Sequence, residues 1–81
     1  MPAPPAPAST LIVGELYYDS AADRHGILQD VSGARVFLRP EGGGREWTAL
    51  DSDLHHPADA ERIRAHRARA QRAALLRAFD S

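Results

Sequence analysis

The chain has no cysteine in its 81 residues, which excludes disulfide staples and every thiolate metal site. It has no lysine either, so all ten basic side chains are arginine. Together with the abundance of alanine, this points to a GC-rich coding sequence, and part of the arginine signal is discounted on that ground. Large rings are scarce: one Trp, two Tyr and two Phe. No apolar run approaches the roughly 18 residues that cross a bilayer. The N-terminus has neither the basic start nor the continuous apolar segment of a secretory signal. Cytoplasmic residence and no membrane partner are therefore expected. A core this small must come from apolar packing alone, helped by self-association where it falls short.

The charge that is present is unevenly divided. Residues 1–56 carry Arg24, Arg35, Arg39 and Arg45 against eight acids, a net of −4. Residues 57–81 carry Arg62, Arg64, Arg67, Arg69, Arg72 and Arg77 against Asp59, Glu61 and Asp80, a net of +3. The two sum to the overall −1. An acidic body with a basic tail is a polarised molecule.

Three segments follow from composition. Residues 1–10 hold four of the six prolines and read as a disordered Pro/Ala-rich tail, extended and unable to bury anything. Residues 11–56 alternate short β-branched and aromatic runs with turns. Leu11 to Tyr18 reads as a first strand, with Gly14 marking a bulge or a close backbone approach. Gly26 to Val31 reads as a second, with Ile27 and Val31 on one face and Leu28 on the other. Ala34 to Arg39 reads as a third, Val36 and Leu38 opposing Arg35, Phe37 and Arg39. Pro40 ends it, and Gly42-Gly43-Gly44 reverses the chain into Arg45–Ala49, because three glycines are costly inside regular structure. A single helical turn at 50–54 and a short closing strand at Leu54-His55-His56 complete the segment. Residues 57–81 open on Pro57 with Asp59 and Glu61 where a helix N-terminus favours them, and predict a helix from about 58 to 78. Its apolar stripe, Ala65, Ala68, Leu75, Leu76 and Phe79, is interrupted by Arg72, and Ile63 points elsewhere.

The candidate chemistry is sparse. Gly42–Gly44 lacks the Lys-Ser/Thr of a nucleotide loop and leads into a strand, so a hairpin turn is favoured over an anion cradle. Asp53, His55, His56 and His25 are metal-ligand types, but adjacent histidines on a strand face opposite ways. No metal, no cofactor and no catalytic residue are expected, since no Ser or Thr sits in a nucleophile-like setting. Trp47 is the largest group available for burial; beside Tyr17, Phe37, Arg39 and Arg45 it could instead form a partner-binding patch. Arg62, Arg64, Arg67, Arg69 and Arg72 are candidate phosphate contacts, although they spread around the helix and no aromatic platform accompanies them.

Val13-Gly14-Glu15-Leu16-Tyr17-Tyr18-Asp19, Arg24-His25-Gly26-Ile27-Leu28 and Leu38-Arg39-Pro40 with Gly42-Gly43-Gly44-Arg45-Glu46-Trp47 resemble the core of small uncharacterised Streptomyces-type actinobacterial proteins with an LRPxGGGREW motif. The strand plan is similar to PRC-barrel and other SH3-like small barrels. The likeness covers roughly residues 12–56 and implies a fold and an origin, with no activity attached to any position. The expectation is a mainly β chain with a C-terminal helix: an SH3-like five-stranded barrel at 11–56 plus the helix at 57–81. In function it reads as a non-enzymatic interaction module that binds a protein partner or a second copy through the face near Trp47 and the helix. The alternative is a nucleic-acid-binding accessory protein that uses the arginine helix.

Overall fold

The computed structural model describes residues 11–80, so the Pro/Ala-rich segment 1–10 lies outside the described residues. Five antiparallel strands follow one another: β1 (Leu16–Asp19), β2 (Arg24–Ser32), β3 (Arg35–Pro40), β4 (Trp47–Leu50) and β5 (Leu54–His55). A 3-10 turn at Asp51–Asp53 joins β4 to β5, and a second at Pro57–Asp59 leads into helix α1 (Ala60–Asp80). The chain is mainly β with one C-terminal helix.

The sheet order is β4-β3-β2-β1-β5, so the strands joined by the three-residue turn lie at opposite edges. In a flat sheet four strand spacings would separate them by about 19 Å. Three residues in a 3-10 turn advance only about 6 Å. The sheet must therefore curl, and it forms a half-barrel whose two edges approach each other. Tyr17, Leu28, Val36, Leu38 and Leu54 form one buried cluster on its inner face, with Leu11, Val31, Trp47 and Ala49 packed against it. Tyr18 faces the other way and is fully buried beneath Ala60 and Ile63 of α1.

Two details depart from the pattern of residues. The first strand starts at Leu16 rather than Leu11, because Gly14 adopts φ 94° within a turn closed by the Glu15 amide donating to the Ile12 carbonyl (3.2 Å). Gly14 is thus a turn glycine, with open space around it. On β2 the register shifts between Leu28 and Asp30, so Leu28 opposes Leu38 and Val31 opposes Val36. The inserted residue breaks simple alternation and puts Val31 on the same face as Leu28, leaving Ile27 on the outer face. The Gly42–Gly44 turn has positive φ at Gly43 (88°) and Gly44 (122°), and the Gly43 amide donates to the Pro40 carbonyl at 3.0 Å.

The helix meets the body with a different face from the expected apolar stripe. Ala60 and Ile63 are buried, whereas Ala65, Ala68, Leu75 and Leu76 are exposed. No helix among the described residues is long and apolar enough to cross a membrane.

Candidate functional site

Trp47 sits on β4 opposite Leu38, half-buried at the rim of the inner face. Its indole lies against Gly26, where an added Cβ would come within 2.4 Å of Cη2. The indole Nε1–H donates to Oδ2 of Asp19 at 2.8 Å. Asp19 is only 2% exposed, and its other oxygen accepts from the Ala21 and Ala22 amides at 3.0 and 3.2 Å. That carboxylate both shapes the β1–β2 turn and fixes the indole, satisfying itself in the process. The Arg24 guanidinium lies over the ring, 3.8 Å from its centre. Beside this corner a shallow groove of about 530 Å³ runs between the outer edge of β4 and the β1–β2 turn, with Asp19, Ala21, Ala22, Trp47, Ala49 and Asp53 among its walls. Among the described residues that edge of β4 pairs with no strand.

The five residues of the expected patch do not come together. Tyr17 is 3% exposed within the inner core, and its hydroxyl accepts from the Ile12 amide at 2.9 Å, so it is packing and not surface. Phe37 and Arg39 alternate with Val36 and Leu38 and face outward, away from Trp47. Arg39 reaches Glu46 at 3.4 Å, and Arg45 is exposed in the glycine loop. Only Trp47 borders the groove.

The second feature is the seat of α1. Asp23, in the β1–β2 turn at φ 53°, accepts from the Tyr18 hydroxyl at 2.7 Å and from Nε of Arg64 at 2.6 Å. Arg64 also lies 5.2 Å from the Tyr18 ring centre, and Arg67 donates to the Ser20 carbonyl. Burial pushes the Tyr18 phenol above its usual 10.0, the bond to Asp23 adds to this, and Arg64 offsets part of it. The Asp23 carboxyl is held below its usual 3.8, chiefly by the hydrogen bond from Tyr18 and then by that from Arg64. Of the five candidate phosphate contacts, Arg64 and Arg67 are thus committed to the body. Arg62 lies 3.6 Å from Asp59. Arg69 and Arg72 stand exposed further along.

A third arrangement was not visible in the residue pattern. Nε2 of His55 lies 3.1 Å from Oγ of Ser20, 35 positions earlier. This is the reach of a Ser–His dyad. The Ser20 hydroxyl, however, donates to the Asp53 carbonyl at 3.2 Å, and the Nδ1 of His55 is buried with no partner. A ring protonated on Nε2 donates to Ser20 and leaves only an acceptor unsatisfied; the other tautomer would bury an unpaired N–H. The favoured relay runs from histidine to serine to carbonyl, which ties the 3-10 turn to β1 and leaves the hydroxyl without a base. His56 projects to the other side, 6.2 Å from the Tyr17 ring, while His55 and His25 flank Tyr18 at 6.4 and 5.2 Å.

No protein-family model matches the chain, and neither the curated proteins nor the solved structures give a match.

Proposed function

We propose that the chain is a non-enzymatic interaction module, cytoplasmic, that binds a protein partner through α1 and the groove beside Trp47. The observation that carries this is the outer part of the helix. From Ala68 to Ala78 every residue of α1 is exposed except the half-buried Ala73, and Leu75 and Leu76 are 62% and 60% exposed. A helix with so few apolar contacts draws little stability from its own body, and exposed adjacent leucines are a usual mark of an interaction face. The strand order, with a 3-10 turn between β4 and β5, supports the reading of the body as an SH3-like barrel. Barrels of that class present aromatic-lined surfaces to extended peptides. The nucleic-acid alternative draws less support, because Arg64 and Arg67 serve the helix seat and Arg62 faces Asp59.

The test is affinity capture from the native host with the full chain and with its Leu75→Ser/Leu76→Ser variant. One stoichiometric protein retained by the first and lost by the second is the expected result. Equal capture by both, or recovery of nucleic acid in place of protein, contradicts the reading.

A further inference from the structure

We infer that the partner segment seated on the outer half of α1 is itself helical and acidic, an apolar stripe flanked by carboxylates. This rests on the interaction reading above and names the chemistry of its partner. At about 100° per residue, Ala60, Ile63, Arg64 and Arg67 fall within one arc of about 100°. These are the residues that hold α1 to the body. Ala65, Ala68, Arg72, Leu75 and Leu76 fall within a second arc, centred about 120° away. All five are exposed. The positions 65, 68, 72 and 75 are spaced three, four and three apart, the seam of a two-helix pairing. The body covers one face of the helix and leaves this seam open.

Charge selects what can lie on it. From Arg62 to Phe79 the helix carries six arginines and no carboxylate. A second copy of α1 would set arginine against arginine, at Arg72 in the middle of the seam above all. The body of a second copy is acidic, but Asp19, Asp23 and Glu46 are already engaged, and Glu15, Asp30, Glu41, Asp51 and Asp53 are spread over separate turns and strands rather than flanking one apolar stripe. A nucleic-acid backbone satisfies the arginines and leaves Leu75 and Leu76 against phosphate and water. An acidic amphipathic helix meets both demands: its apolar residues cover the leucines and its carboxylates pair with Arg72 on the seam and Arg69 on its flank.

The experiment titrates the full chain with a labelled peptide of about three heptads carrying Leu on its seam and Glu on its flanks. A control peptide keeps the leucines and replaces each Glu by Lys. The acidic peptide is expected to bind, with affinity falling at least about tenfold between roughly 50 mM and 500 mM salt. Leu75→Ser/Leu76→Ser should weaken it by about tenfold or more, and Arg72→Gln by about fivefold, while circular dichroism shows the fold intact. The Lys peptide should not bind. No binding of the acidic peptide, or equal binding of both, overturns the acidic-helix proposal; the interaction reading then stands or falls on the host capture alone. A doubled mass that the leucine variant reverts assigns the seam to a second copy and overturns the proposal while keeping the interaction reading. Salt-steep binding of duplex DNA, lost on Arg69→Gln/Arg72→Gln, overturns both.

Discussion

A Cβ on Gly26 would sit 2.4 Å from Cη2 of Trp47 and 3.1 Å from Cβ of Leu38, contacts that cannot be met without moving the indole. Moving it also pulls Nε1 away from Asp19, whose carboxylate is buried and holds the β1–β2 turn. Gly26→Ala should therefore lower stability by about 2 kcal/mol, in the range for an overpacked core. Gly42→Ala is the matched control: its Cβ meets nothing within 4 Å and its φ is not positive. It should change stability by less than about 0.5 kcal/mol. Urea denaturation of the two variants separates them, and equal costs would mean that the indole does not rest on Gly26. Trp47 and the triple-glycine turn were legible in the residues. Gly26 was not, because a lone strand glycine reveals its neighbour only once the register sets Trp47, two strands away, against it.

At the scale of elements, the seat of α1 depends on a triad spread over 46 positions, Tyr18, Asp23 and Arg64. Asp23 titrates below its usual 3.8 in the folded chain, so its contribution is present above about pH 4 and is lost as pH falls through the lowered value. Tyr18 titrates above 10.0, so its contribution is present below that pH and is lost as pH rises through the raised value. Asp23→Asn keeps a side chain that tolerates φ 53° but removes the negative charge. The Tyr18 pKa should then move down toward 10.0, read from the tyrosine Cζ resonance by NMR. An unchanged or higher value would contradict the triad. Ile63→Ala should loosen the same seat at a cost of about 2 kcal/mol, whereas Leu75→Ala should cost less than about 0.5 kcal/mol. Thermal unfolding of the two variants checks this, and equal costs would contradict the assignment of faces.

The helix itself followed from alanine, arginine and the acidic first turn. Which face it would bury did not, since the richer stripe of Ala65, Ala68, Leu75 and Leu76 is the one left exposed. The single isoleucine, beside two arginines with partners in the β1–β2 turn, outweighs that stripe. Those partners are invisible until the fold brings Ser20 and Asp23 beneath Arg67 and Arg64. Strand number was likewise readable from turn spacing, but the strand order and the β2 bulge were not. The bulge hides in a stretch whose residue types fit either register.

At the scale of the whole molecule, the described residues measure 46 × 26 × 22 Å, the long dimension reflecting a helix that the body does not accompany. Acid and base are segregated along the sequence, with the net −4 of residues 1–56 and the net +3 of residues 57–81. Helix α1 is anchored to the body over Ala60–Arg67, and its Ala65, Ala68, Arg72, Leu75 and Leu76 stripe stands exposed. Amide hydrogen exchange along α1 of the free chain tests this most directly. Amides within 60–67 should exchange slowly, and those of 70–78 faster by about two orders of magnitude or more, becoming protected when the acidic peptide is added. Uniform protection of 60–78 in the free monomer, equal to that of β1–β3, would contradict it.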